Sequence, residues 1–376
     1  MTWFRHWFRI LVLACASALV PALASAVPSF IGPLNMVSTI ASTVPANGDV
    51  NPYGTAVVLR TTGNLVRGDI LVSNFNDSDN EQGTGTTIVQ IAPDGTTQLF
   101  AQIDAASLPG PCPGGVGLTT ALVVLRTGWV IVGSLPTTHG SPTSSKAGCL
   151  IVVNKMGQAV ETISGSPING PWDMTAAEFD DFAVLFVTNV LNGTVAASPN
   201  VVNKGTVARI ALAVSDEDGD DHRIGDMPRV LLRSVIGSGF GERTDPAALV
   251  IGPTGVGLGH DGTLYVADTL ANRIAAIPNA FFRIFSAGTG RTVTVNGALN
   301  GPLGLAIAPG GNILTVNSGD GNIVETTPGG SQVAVKLLDS SGSPPGAGAL
   351  FGLAITPNGK GVYFVDDAAN TLNLLN

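Results

Sequence analysis

One unit recurs six times along the 376-residue chain, and this repeat constrains the fold more than any other feature. The clearest copies are GPTGVGLGHDGTLYVADTLANRI (252–274), GPLGLAIAPGGNILTVNSGDGNIVE (301–325) and LFGLAITPNGKGVYFVDDAANTL (350–372). Weaker ones are NPYGTAVVLRTTGNLVRGDILVSNFN (51–76), GVGLTTALVVLRTGWVIVGS (115–134) and GPWDMTAAEFDDFAVLFVTN (170–189). In each, a turn feeds an apolar strand, a Gly- or Asp-bearing turn reverses the chain, and a second strand ends at a short polar residue. Strands at this spacing without helical patterning fit a β-sandwich or a propeller. Unequal repeats averaging about 58 residues favour radial stacking of blades.

The chain ends agree. The last unit has room for three strands, while MVSTIAST (36–43) is an orphan strand candidate upstream of the first unit. Placed as the outer strand of the last blade, it closes the ring and removes an open edge. The expected fold is all-β: a six-bladed β-propeller of four-stranded blades, closed by an N-terminal strand joining the last blade.

In GVGLGHDGTLYVADTLANRI, Asp261-Gly262 form the turn, followed by LYVAD and NRI. This stretch, and its counterparts in units five and six, resembles the NHL repeat. The resemblance implies a six-bladed propeller of four-stranded blades. Similar propellers serve as binding platforms, as lyases and, in the related gluconolactonase group, as metal-dependent hydrolases, so fold alone does not fix function.

Arg5 and Arg9 precede ILVLACASALVPALA, and ASA follows at 24–26. A basic start, a short apolar run and a small-x-small site form a secretory signal peptide over 1–26, leaving a single domain over 27–376. The expected location is therefore periplasmic or extracellular. Later apolar runs such as FAVLFV (182–187) suit buried strands and are too short for a transmembrane segment in the mature chain. With 27 acidic against 18 basic residues, the net charge of −9 argues against nucleic acid or an anionic membrane as partner. In an oxidising compartment Cys112 and Cys149 are candidates for a disulfide.

The strand-ending residues are Asn74, Ser134, Asn189, Asp268, Ser318 and Asp366. A short hydrogen-bonding side chain repeated in every blade reads as architecture, because such residues terminate strands and shape turns. Asp366 differs in being followed by Asp367, and adjacent carboxylates can share a cation. The entry-turn residues Tyr53, Val116, Trp172, Thr254, Leu303 and Phe351 ring one mouth of the central channel. They form either a plug or a collar that receives an apolar or carbohydrate-like group.

Long loops at 75–86, 135–148 and 190–204 build up one half of the same face, the usual setting for recognition. Asn76, Asp77, Asp79 and Glu81 offer oxygen donors for a divalent cation such as calcium, as do Asp216, Asp218 and Asp220. His139, His222 and His260 are scattered, and no nucleophile elbow occurs. A gluconolactonase-like centre needs a Glu, an Asp and Asn residues converging on the channel. Asp173, Asn189 and Asp366 could reach the mouth, but Glu178 lies in a turn region and Glu325 on an outer strand. The sequence thus reads as an exported binding or interaction module acting through its loop-rich face on an unidentified protein, glycan or small molecule. The alternative is a metal-dependent hydrolase or lyase at the channel mouth.

Overall fold

Glycine-bearing turns cut the chain into short strands that pair as six antiparallel sheets around a central channel. The computed structural model describes residues 28–214 and 227–376. The leader expected over 1–26 and the run holding Asp216, Asp218 and Asp220 lie outside them. From the channel outward, blade one is Val50–Val57, Ile70–Asn76, Thr87–Ile91 and Thr97–Gln102. Blade two is Leu118–Val124, Val130–Ser134, Cys149–Val153 and Ala159–Ile163. Blade three is Pro171–Glu178, Phe182–Asn189, Val202–Ala213 and Arg229–Asp245, and a short fifth strand, Leu249–Ile251, folds back on the end of the fourth. Blade four is Pro253–Leu258, Leu264–Asp268, Arg273–Ile277 and Arg291–Val295. Blade five is Pro302–Ile307, Ile313–Asn317, Asn322–Thr326 and Gln332–Leu337.

Blade six is Leu350–Ile355, Val362–Asp366 and Thr371–Leu375, completed by Val37–Ser42, which pairs antiparallel from Val37 opposite Leu375 to Ser42 opposite Thr371. The ring closes as the orphan strand predicts. Second strands such as Ile70–Asn76, Val130–Ser134, Leu264–Asp268 and Val362–Asp366 are buried along their whole length. Each blade is covered on both faces by its neighbours, so these strands read as continuous apolar runs rather than alternating ones.

A second N-terminal contact fastens the ring. The Glu325 carboxylate, fully buried, accepts bonds from Ser29 Oγ at 2.7 Å, the Phe30 and Ile31 amides at 2.7 and 2.9 Å, and Asn312 Nδ2 at 2.6 Å. Ile31 packs with Leu314, Val316 and Phe364 between blades five and six. Glu325 is therefore on a third strand, not an outer one, and its task is to hold the N-terminal segment.

Strand register corrects two positions. Pro52, Leu118, Pro171, Pro253, Pro302 and Leu350 stand opposite Asn74, Ser134, Asn189, Asp268, Asn317 and Asp366. The strand-ending residue of blade five is thus Asn317, not Ser318. The entry residue after Leu118 is Thr119, whereas Val116 lies outside the strand and packs beside Cys149. Asp268 is bonded to Arg273 Nε at 2.8 Å and is buried, as an architectural residue should be.

Cys112 and Cys149 form a disulfide, tying the segment that enters blade two to the start of its third strand. The bridge closes a loop across 37 positions, so replacing both cysteines by serine is expected to cost about 3–4 kcal/mol in the chain-entropy picture. Urea unfolding of the two forms measures it; equal midpoints would mean the loop is held without the bridge.

Candidate functional site

The residue after each entry position decides what reaches the channel. Four blades place glycine there: Gly54, Gly255, Gly304 and Gly352. A Cβ at Gly255 would collide with the Leu303 carbonyl, one at Gly304 with that of Phe351, and one at Gly352 with that of Tyr53. The cause is the close approach of consecutive inner strands. Blade two solves the contact with one additional residue, Thr119–Ala121, where the register shifts before Leu122. Blade three alone places a carboxylate, Asp173.

The Asp173 side chain bonds to the inner-strand backbone around it. Oδ2 accepts from the Val256 amide of blade four at 2.9 Å and Oδ1 from the Met174 amide at 2.8 Å. The Asp173 amide donates to Thr188 Oγ1 at 3.0 Å. Burial raises the carboxyl pKa to about 7, against the opposing pull of the two amide bonds.

Asp173 borders a cavity of about 350 Å³ formed by all six inner strands. Its wall comprises the far halves of those strands, for example Thr55–Val57, Val256–Leu258 and Gly352–Ile355. Among the described residues, Asp173 is the only ionisable one in the wall; Thr55, Thr120 and Thr175 add hydroxyls. Each inner strand is the free edge of its sheet, so backbone N–H and C=O groups also face the space. Val57, Val124, Leu258, Ile307 and Ile355, at the strand ends, are partly exposed. The cavity is a well that opens on the face opposite the long loops.

The loop-side mouth is filled. Tyr53 stacks on Phe351 at 3.9 Å and on Phe75 at 4.4 Å, with Trp172 6.4 Å away. Leu303, Leu135 and Leu191 join them, and so do Leu249 and Val250 of blade three's fifth strand. Four of the six entry-turn residues, Tyr53, Trp172, Leu303 and Phe351, therefore meet in one cluster. Thr254 is buried separately, bonded to Thr269 Oγ1 at 2.7 Å. Leu249 has φ +61°, a conformation disfavoured for any residue but glycine, and it turns the hairpin down onto the mouth.

The long loops brace this cap. Gln82 Nε2 donates to the Ala247 carbonyl at 3.2 Å, the Thr137 amide to that of Gly83 at 3.0 Å, and the Asn192 amide to Glu242 Oε1 at 2.8 Å.

The residues considered for a cation are arranged as follows. Asp77 Oδ1 accepts from the Asp79 and Glu81 amides, both at 3.1 Å, the geometry of an Asx turn. Glu81 lies 3.6 Å from His139 at the surface. Asp366 accepts from the Ala369 amide at 3.0 Å. Asp367 meets the Asn51 side-chain amide at 2.6 Å, and the Asn51 oxygen in turn meets Asn76 Nδ2 at 3.0 Å. Asn76 and Asp367 are thus linked through Asn51. Among the described residues, no three His, Cys, Asp or Glu side chains converge in the manner of a metal site.

Sequence reasoning missed Glu242. It is fully buried near the end of blade three's long fourth strand, and burial raises its carboxyl to about 7 despite its bonds to Asn192. Asp367 is likewise raised to about 7 by burial and by neighbouring Asp366. No local pattern marks Glu242. Asp173 does carry a signal, the departure from glycine at a repeated position.

These three carboxyls set a pH dependence. An acid whose folded pKa is raised keeps its proton in the folded state between about pH 4 and 7, where the unfolded chain has released it. Stability therefore falls as pH rises through that window. Asp94, Asp261 and Asp320, whose pKa values are lowered, act in the opposite sense, but below about pH 4. The protein should melt at a higher temperature at pH 5 than at pH 8, and Glu242→Gln with Asp367→Asn should flatten the difference. A melting temperature that climbs across the same range would contradict these assignments.

No family model and no curated protein match the sequence. Solved structures do. A calcium-binding protein, regucalcin, from Agrobacterium tumefaciens matches with a TM-score of 0.55 at 12% identity, over 90% of this chain and 93% of that one. A gluconolactonase from Xanthomonas campestris gives 0.52 at 13% identity, over 91% and 97%. A luciferin-regenerating enzyme gives 0.55 at 10% identity, over 90% and 94%. At such identities the likeness establishes the shared six-bladed propeller and carries no residue roles.

Proposed function

We propose that this propeller is a small-molecule enzyme of the hydrolase or lyase class, working in the central well with Asp173 as its acid–base group. One observation carries the reading. Where the fold otherwise favours glycine, blade three projects a carboxyl into a well that holds no other ionisable group among the described residues, and its pKa of about 7 is raised mainly by burial. At neutral pH such a group is present in both forms. The protonated form can donate to a leaving oxygen or nitrogen, and the ionised form can take a proton from water or from a carbon beside a carbonyl. That two of the similar structures are described as a gluconolactonase and a luciferin-regenerating enzyme adds weight to an enzyme reading. The filled loop-side mouth counts against ligand entry from that face.

The gluconolactonase group implies a divalent cation, and the well's donors do not suit one. A calcium-type ion takes six to eight oxygen ligands, usually several of them carboxylates. Here one carboxylate is available, and both its oxygens already accept amide protons. The chemistry is therefore assigned to Asp173 itself, with the threonine hydroxyls and strand-edge backbone groups positioning the substrate.

The test is turnover of a panel of small lactones and aryl esters by the wild type and Asp173→Asn. A general acid–base group contributes about 10²–10⁴-fold, so the variant should lose at least the lower figure. Equal turnover by the two proteins would remove Asp173 from the chemistry.

A further inference from the structure

The face on which the well opens carries an apolar projection that the ring does not need. The loop joining the third and fourth strands of blade four presents Phe282, Ile284 and Phe285 at 87, 82 and 80% exposure. Beside it, the first hairpin turn of blade three presents Phe179 and Phe182, stacked at 4.4 Å and both exposed. Phe281 joins the two, edge-on to Phe179 at 5.9 Å and to buried Phe186 at 5.5 Å.

The loop is fastened at its base. Arg209, itself buried, donates through Nη1 to the carbonyls of Ala280 and Phe281. The Ala280 amide bonds to the Gly262 carbonyl at 3.0 Å and the Ala287 amide to that of Ile236 at 2.8 Å. Arg283 donates to the Pro278 carbonyl through Nε at 3.0 Å and Nη2 at 2.9 Å. The exposed side chains thus sit on a built support, and a contiguous apolar patch of this kind marks an interaction surface.

We infer that the occupant is a second copy of the chain, docked about a two-fold axis. The patch is self-complementary. Asp180 and Asp181 stand between Phe179 and Phe182 on the turn, and Arg283 stands between Phe282 and Ile284 on the loop. A two-fold contact sets each loop against the partner's turn, so aromatic meets aromatic and Arg283 meets the acidic pair, twice over. A lipid surface is the poorer occupant, because the two carboxylates would have to enter the headgroup layer with the aromatics. The pairing would bring the well-bearing faces of two copies together along the sector of blades three and four.

Sedimentation velocity over a wide concentration range tests this. The wild type should dimerise, and Phe282→Asp with Phe285→Asp should weaken pairing at least about tenfold, as loss of central anchors does. Because that variant could be misfolded, a second carries Asp180→Lys and Asp181→Lys. Each variant alone should be monomeric, and an equimolar mixture should recover a heterodimer, since the acidic loop of one then meets the basic turn of the other. A monomeric wild type at every concentration overturns the inference. So does a mixture that stays monomeric, or a monomer that floats with phosphatidylcholine vesicles and loses that binding in Phe282→Asp with Phe285→Asp.

Discussion

Deletion of residues 28–43 will unfold this propeller rather than trim it. The segment supplies the outer strand of blade six, the Ile31 side chain packed between blades five and six, and three of the four bonds to the buried Glu325 carboxylate. Stripping the partners from a buried charge costs about 3–5 kcal/mol, and losing a buried isoleucine adds about 2 kcal/mol or more. That sum approaches the whole stability of an ordinary domain, about 5–15 kcal/mol. Glu325→Ala is the milder probe. It keeps the strand and Ile31 while leaving the Phe30 and Ile31 amides without an acceptor, at about 1–3 kcal/mol for each group left unsatisfied. Far-ultraviolet circular dichroism with urea unfolding separates the cases. A truncated chain that unfolds at the wild-type midpoint would mean that the ring closes without its N-terminal strand.

Asp173→Gly should remove function while leaving the fold nearly untouched, and this separates the two roles open to Asp173. If the carboxylate mainly staples blade three to blade four through Val256, glycine should destabilise the ring by several kcal/mol. If it is kept for chemistry, glycine merely restores what Gly54, Gly255, Gly304 and Gly352 already do in their blades, and near pH 4, below the window in which the raised pKa acts, the change in stability should be within about 1 kcal/mol. A buried carboxyl held protonated also makes stability pH-dependent, by about 1.4 kcal/mol per pH unit between its unfolded and folded pKa values. Asp173→Gly and Asp173→Asn should both remove that slope, raising stability relative to wild type at pH 8 more than at pH 5. Loss of turnover with retained melting is the expected pair of results. Retained turnover with lost melting would make Asp173 a staple.

The repeat and the orphan strand at 36–43 were enough to read the blades, their number and the closure, because each depends on local alternation of turns and apolar runs. What escaped depends on contacts distant in sequence. The entry position of blade two is Thr119 rather than Val116, three residues further on, a displacement visible only in the pairing of Leu118 with Ser134. The three-residue strand Leu249–Ile251 is too short to read, yet it helps stop one end of the channel and so decides which end opens. The aromatic entry residues were identifiable as a set, but not their stacking with Phe75 or the cap above them. Glu325 and Glu242 look like ordinary strand glutamates until Ser29 and Asn192 are seen against them. Asp173 was within reach, since aligning the blades on their glycines singles it out.

The ionisation of Asp173 tests the central claim most directly, followed by carboxyl-carbon NMR with Asp173→Asn used to assign the resonance. The structure predicts a midpoint near pH 7, with half the population protonated at neutrality. A midpoint near 4, the ordinary value for an aspartate, would leave the well with a permanent anion and no acid–base group.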